Sequence, residues 1–432
     1  MFLEFFGRVR LVRALRSRSF ALLWFGQTIS ALGNGAFLTA MAWQVLLLTG
    51  SSSLMGVVLI AEMLPQIALL LLGGVIADRF PRRQVLLWSD SGRFLAVMVI
   101  ALLGWTHLMQ FWQLVTLSFF FGLVSSFFSP AYQAIPPHLV SSEELTSANA
   151  LTGLSQQVGY LLGPLLGAAC VTLTDTPGAF AFDGLTFLLS AACLIAMRMP
   201  TEVGMCIAIS AGDDLTGKAS GFPPGGLRGL VTDVREGLSL VQNTRWLWVT
   251  IVVSSVVNIG FAGTAQVALP RLVHDTYGAG VWLLGSLTAV GALGSIIAST
   301  VVGQLGKFPR RGLVAYLAIL VGSIALMIFA LPLPHSIEPA AACIAMFLVE
   351  CGIGVFGILW LTLLQERVPE EKLGRISSIE MLGSYSLLPI GYLTIGILAD
   401  HFSSGKVFLI GGLLNALLIV GGLCLRDIRR LN

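Results

Sequence analysis

The sequence predicts an all-α membrane protein of twelve spanning helices, arranged as two six-helix halves. Three observations predict it. Apolar residues make up 56% of the 432 residues and charged residues only 11%, against roughly 25% charged in an ordinary soluble domain. The apolar residues gather in twelve runs long enough to cross a bilayer. The basic residues then fall almost wholly on one side of the topology those runs define. A soluble fold of this length cannot hide so much apolar surface behind so few charges. That excludes a soluble enzyme, a nucleic-acid binder and a disordered chain. Forty-eight glycines suit close helix packing in lipid.

A spanning helix needs about 20 mainly apolar residues. The runs lie at 20–48, 54–77, 84–103, 108–130, 144–170, 178–197, 246–270, 281–303, 312–331, 339–364, 374–399 and 406–425. Arg8, Arg10, Arg13, Arg16 and Arg18 precede the first run, and Ala40-Met41-Ala42 imitates a signal cleavage site. A signal peptide's apolar region is only about 7–15 residues long, so 20–48 reads as a first spanning helix behind a basic cytoplasmic arm. The longest runs imply tilt or extension beyond the bilayer, and short loops make neighbouring helices antiparallel. With the amino terminus inside, 22 of the 25 Lys and Arg lie in cytoplasmic segments. Arg271 and Lys406 fall outside, and Arg93 falls within span three. The rule that cytoplasmic loops are basic therefore sets an even number of spans with both termini in the cytoplasm; the chain is expected as a multi-pass monomer of the plasma (inner) membrane.

The halves announce themselves as a repeat. Phe80-Pro81-Arg82-Arg83 recurs as Phe308-Pro309-Arg310-Arg311, an offset of 228. The same offset carries Arg79 onto Lys307, Val140 onto Val368, Glu143 onto Glu371, Leu145 onto Leu373 and Gly163 onto Gly391. The expected domains are 1–197, a six-helix bundle; 198–245, a cytoplasmic linker; and 246–432, a second bundle. The linker opens with Gly221-Phe222-Pro223-Pro224-Gly225-Gly226, a loop signal. Leu227, Leu230, Val231, Val234, Leu238 and Val241 follow at helical spacing among charges, which suggests an amphipathic interfacial helix or a plain covalent strap. Two six-span halves in parallel repeat are one known build of secondary transporter, with substrate near the midplane between the halves.

The run Gly74-Val-Ile-Ala-Asp78-Arg79-Phe-Pro-Arg82-Arg83 resembles the loop signature between helices two and three of the major facilitator superfamily. Leu87, Asp90 and Arg93, the stretch from Phe128-Ser129-Pro130-Ala131 through Ala148-Asn149-Ala150 to Gly163-Pro164, Asp183 to Phe187, and Gly396-Ile-Leu-Ala-Asp400 resemble its macrolide-efflux and enterobactin-exporter-like branch. The resemblance covers nearly the whole chain. It implies the major facilitator fold and a conformational gate formed by Gly74, Asp78, Arg79, Arg82, Arg83, Asp90 and Arg93, whose contacts hold the outward-open state. Asp78 can face the positive start of a neighbouring helix, and the arginines can pair with acids or simply anchor the loop. Gly306 stands where the repeat would put the matching acid, so the second half's gate differs. Asp90 and Arg93, three apart in span three, share a face and can pair; a structural ion pair is the leading reading. Gly159, Gly163, Pro164 and Gly167 resemble the antiporter motif of drug exporters, with Ala168 in place of a second glycine; close helix packing is the plainer alternative.

Acids carry the coupling question. Glu62 sits about nine residues into span two and Glu350 about twelve into span ten, both near mid-membrane. An ionised carboxylate there is costly, so each suits the uptake of a proton from one side and its release to the other. The alternative is a protonated glutamate locking two helices. Asp183, nearer the outer end of span six, is a third coupling candidate with a structural alternative; Glu380 reads as structural. If the family architecture holds, spans one, four, seven and ten line the cavity. Its candidates are then Gln27, Asn34, Phe37, Phe121, Phe128, Asn258, Phe261, Gln266, Phe356 and Trp360, each aromatic having core or lipid packing as its alternative. These four spans hold no mid-depth Lys or Arg, which argues against a strongly anionic substrate.

Nothing points to an enzyme. There is no phosphate-binding glycine loop with lysine, the five histidines are scattered, and the six cysteines form no metal-ligand or disulfide pattern. No metal, cofactor or nucleic acid is expected. The expected partners are protons, the lipid bilayer and a small molecule that is hydrophobic and neutral or cationic. The expected function is proton-coupled efflux by rocker-switch alternating access. A specific metabolite or siderophore carrier of the same fold is one rival, and a non-transporting membrane scaffold or sensor is the rival from another class.

Overall fold

The structure is a computed structural model; it describes residues 10–69, 80–198, 239, 241, 242, 244–305, 308–368 and 370–431. Gly74, Asp78 and Arg79 of the predicted gate, Gly306, and nearly all of the predicted linker lie outside the described residues. The described chain is helical, without a strand. It divides into two compact units, Met1–Met41 with Ile60–Gly221, and Ala42–Leu59 with Phe222–Asn432.

In the first stretch, α1 (Arg18–Thr49) is 32 residues long, about 48 Å at helical rise. That exceeds the roughly 30 Å hydrocarbon core. Gly50 stops it with φ +64° and donates its N–H to the Leu46 carbonyl at 2.7 Å, a left-handed closure that glycine adopts without penalty. Ser51 then starts α2 (Ser52–Ala68) by accepting the Leu54 N–H at 3.3 Å. Next come α3 (Arg82–Trp105), α4 (Phe111–Ser125) and α5 (Phe128–Gln133), the last two forming one apolar span, Phe111–Gln133. Reciprocal bonds between Gln110 and Gln113 cap α4.

α6 (Leu145–Ala196) departs from the expected loop between spans five and six. Its 52 residues are two arms broken only at Thr174 and Asp175, where Asp175 takes φ +59°. With ψ at −178° this is a region that glycine almost alone adopts freely, so the break carries backbone strain. Thr174 Oγ1 ties back to the Cys170 carbonyl at 2.8 Å, and Pro177 sits at the start of the second arm, where its missing N–H costs nothing. The break lies within the expected loop, 171–177, at the turn-forming run Thr174-Asp175-Thr176-Pro177-Gly178, but it is only two residues wide.

In the second unit, α7 (Arg245–Asn258) continues through wide π-type turns, Ile259–Ala268 and Leu272–Thr276. Then follow α8 (Val281–Leu305), α9 (Arg311–Leu326), α10 (Glu338–Arg367), α11 (Glu370–Tyr385), α12 (Leu388–His401) and α13 (Ser404–Leu423). Moving the starts of α1, α2, α3, α4 and α6 by the 228-residue offset lands within three residues of the starts of α7, α8, α9, α10 and α11. The repeat read from four-residue matches is therefore a repeat of helices. Among the described residues, ten helices are long and apolar enough to cross a membrane. One of these is the double-armed α6, and α2 is shorter in its described part. Leu173, Leu417 and Ile390 are among many well-exposed large side chains, as expected where lipid rather than water is the solvent.

A membrane cavity and two ion-pair clusters

In the first unit, the two arms of α6 pack on α1 and α3 and set the site. Gly159, Gly163 and Gly167 lie one turn apart and abut Ala31, Gly35 and Ala36 of α1. A methyl added at Gly163 would stand 2.7 Å from the Gly35 Cα, so the helices meet backbone to backbone. The second arm brings Asp183 and Ser190 beside α1 and α3. Asp183 fills the space left by Gly33.

The centre of this unit is a polar network. Asp90 and Asp183 are wholly buried, and Arg93 is 4% exposed. Arg93 Nη2 pairs with Asp90 Oδ1 across one helical turn. Ser190 donates to Asp90 Oδ2 at 2.7 Å, and Gln27 Nε2 donates to Ser190 at 2.9 Å. The Arg93 guanidinium also stacks on Phe128 (4.2 Å) and Phe187 (4.5 Å), so rings hold the faces its hydrogen bonds leave open. Asp183 is within electrostatic reach of both Arg93 and Glu62. Its Oδ1 lies 3.4 Å from Thr186 Oγ1, while its Oδ2 has no hydrogen-bond partner among the described residues. One arginine thus faces two buried aspartates, only one of which it pairs.

Beside the network lies a cavity of about 350 Å³. Gln27 and Asn34 of α1, Arg93 of α3, Phe128 and Gln133 of α5, and Gln156 of α6 contribute to its wall. Three of the predicted cavity residues, Gln27, Asn34 and Phe128, are therefore together. Phe37 and Phe121 instead stack on each other at 5.0 Å, against Phe180 and Phe187, in a packed core. Phe37 lies about 80° around α1 from Gln27 at 100° per residue. The helix breaks between Phe121 and Phe128, so their seven-residue spacing does not keep one face. The wall also takes Arg93 from span three, a helix outside the four considered for charge in the sequence.

The loop arginines serve helix ends. Arg82 donates to the Ala134 carbonyl at 2.8 Å and meets His138 Nε2 at 2.5 Å. Arg83 donates to the Leu194 and Ile195 carbonyls at 2.7 Å, at the C-terminal end of α6, where cations are favoured. Glu62, half-buried on α2, packs its backbone on Gly122 of α4.

In the second unit the predicted residues spread out. Glu350 is half-buried on α10 over Gly291 of α8, where an added methyl would meet its Cγ at 2.9 Å. Phe356 and Trp360 stack at 6.1 Å, and Trp246 meets Trp360 edge-on at 5.7 Å. Trp360 donates to Glu380 at 3.3 Å. Asn258 donates to the Ser384 carbonyl at 3.1 Å, Phe261 is buried, and Gln266 is half-buried on the wide turns.

A second cluster was not foreseen. Asp400, at the end of α12, accepts the N–H groups of Ser52 (2.7 Å) and Ser53 (2.9 Å) and the Ser51 hydroxyl (2.7 Å). Arg271 pairs with the same carboxylate and with Asp275 at 3.1 Å. His274 bonds Asp275 at 2.7 Å and packs edge-on to Trp43 at 5.5 Å. A carboxylate on the first N–H groups of α2 satisfies orphan donors and opposes the positive end of the helix. The available signal was Arg271 itself, one of two exceptions to the charge rule.

Polar groups gathered on a cavity in a helical membrane protein suit a transporter, and the chain's similarity to known proteins shows that class, a transporter and not an enzyme. The family model of the Major Facilitator Superfamily matches residues 23–392, and the chain belongs to that superfamily. It is similar to macrolide efflux protein A of Streptococcus pyogenes, 23% identical over 419 residues, covering 96% of this chain and 97% of that protein. It is also similar to the enterobactin exporter of Shigella boydii serotype 4 (strain Sb227), 26% identical over 423 residues, with 93% and 92% covered. Among solved structures, a nucleoside transporter superposes with a TM-score of 0.72 at 9% identity, over 94% of this chain and 98% of that one.

Proposed function

We propose that this transporter exports small molecules in exchange for protons, by rocker-switch alternating access in the plasma membrane, with both termini in the cytoplasm. The observation that carries the reading is Asp183: wholly buried, with one carboxylate oxygen unpartnered among the described residues, and facing the already paired Arg93. An ionised aspartate there leaves the cluster one negative charge in excess, and a proton removes it. Both states are reachable only if a proton enters and leaves, which is what antiport requires. Glu62, within electrostatic reach of Asp183, would share that proton; Glu350 is the second-unit candidate. Efflux is supported by the relatives named for macrolide efflux and enterobactin export. The Asp400–Arg271 cluster would serve as a latch at the helix ends that the charge count assigns to the outer face. The substrates would be hydrophobic and neutral or cationic, and the working unit a monomer.

The test is flux of rhodamine 6G and of erythromycin in proteoliposomes under an imposed pH gradient, with Asp183→Asn, Glu62→Gln and Glu350→Gln beside wild type. Gradient-driven flux should fall at least about tenfold in Asp183→Asn, as for loss of a group essential to one step, while gradient-free exchange of substrate persists. Flux that ignores the gradient in wild type would overturn proton coupling. A loss confined to Glu350→Gln would move the coupling site to the second unit.

A further inference from the structure

The cavity wall narrows the substrate class, on the reading that this cavity takes the exported molecule. Among the described residues, Arg93 is the single charged side chain on the wall, and no carboxylate lines it. Asp90 neutralises Arg93 from behind, through the pair and the Ser190 bond. A cationic ligand would therefore meet Arg93 first and find no carboxylate on the wall among the described residues. An anion would meet an arginine whose charge is already matched, and would add an unpaired charge inside the membrane. The rest of the wall is neutral and hydrogen-bonding, including the amides of Gln27, Asn34, Gln133 and Gln156. Ser30 Oγ and Arg93 Nε, both in wall residues at least nine-tenths buried, hold no hydrogen-bond partner among the described residues. Two rings and Asp90 fix the guanidinium, so its remaining donor capacity is pre-organised.

We infer that this cavity recognises a neutral, oxygen-rich group, one bearing hydroxyl, ether or carbonyl oxygens, and that Gln133 and Arg93 set that preference. A hydrophobic cation of the kind the sequence alone admits is not its preferred occupant.

The test uses the full-length protein in lipid nanodiscs and three probes. 4-Methylumbelliferyl β-glucoside is neutral and polyhydroxylated. 4-Methylumbelliferyl sulfate is its anionic counterpart, and tetraphenylphosphonium is a cation without oxygen. The glucoside should bind at least about tenfold more tightly than either of the others, about 1.4 kcal/mol at 25 °C. Gln133→Leu should weaken the glucoside about fivefold, as for one lost hydrogen bond, and leave tetraphenylphosphonium unchanged, with an unaltered unfolding midpoint. Arg93→Lys, which keeps the charge but loses the planar fork, should weaken the glucoside as well. Tighter binding of tetraphenylphosphonium or of the sulfate, glucoside binding indifferent to Gln133→Leu, or no glucoside binding would each overturn the inference. Flux of the same probes in proteoliposomes separates the two readings. Tetraphenylphosphonium driven by an imposed pH gradient faster than in protein-free liposomes, without glucoside binding, leaves the exporter standing and this inference fallen. Glucoside binding without gradient-driven flux of any probe does the reverse.

Discussion

At the scale of single residues, charge placement decides most of what matters. An ionised group in hydrocarbon is expensive unless paired, and the structure pairs two of the three exceptions the charge count raised. Arg93, stranded in span three, meets Asp90 and two rings; Arg271, stranded outside, meets Asp400. The Asp90–Arg93 pair was legible because partners three residues apart share a helix face. Asp400 was not legible as a helix cap, because its partners stand 347 to 349 residues earlier, and no spacing rule reaches that far. Its carboxylate collects two backbone donors, a hydroxyl and a guanidinium. Asp400→Asn keeps one acceptor and loses the charge, so unfolding stability in detergent should drop by about 1–3 kcal/mol, the range for a charge-assisted hydrogen bond. A midpoint equal to wild type would show that the cluster contributes no stability.

At the scale of elements, length and apolarity were enough to find helices, and too coarse to find how they bend. The break at Thr174 and Asp175 occupies two residues inside 52, and the π-type turns of 259–268 leave the composition unchanged. The break lies inside the loop that the apolar runs left at 171–177, and only its tightness was hidden; the π-type turns depend on packing that hydropathy does not encode. The glycines of α6 do separate by position. Gly163 faces the α1 backbone at 2.7 Å, whereas Gly153, in the same helix, has open space where a Cβ would go. Gly153→Ala should therefore be neutral or stabilise by about 0.5–1 kcal/mol through helix propensity. Gly163→Ala should destabilise by about 1–3 kcal/mol through overpacking. Thermal unfolding of the two variants side by side checks it. Equal shifts would mean that α1 and α6 yield to a methyl.

At the scale of the whole molecule, a handful of repeated residues carried the architecture. Phe80-Pro81-Arg82-Arg83 and its copy fixed an offset that the helix starts then followed. Cavity membership was only partly legible: Gln27 and Asn34 share a face by helical arithmetic, but which further helices close the wall is a tertiary fact. The charge count also predicts an orientation. Cysteines placed at the exposed Gln110 and Ser141 of a cysteine-free background should differ. An impermeant maleimide added to intact cells should label position 110 and spare 141; the opposite pattern would invert the topology. The Asp400 cluster also bears on the order of events in biosynthesis. The amino end of α2 is made early, but the carboxylate that seals it is 349 residues downstream of Ser51. At about 5–20 residues per second that is a wait of roughly 20–70 s on the ribosome. During that interval the turn at 50–53 stands open, so a nascent chain arrested before Asp400 should be cut there by protease, and one released beyond it should resist.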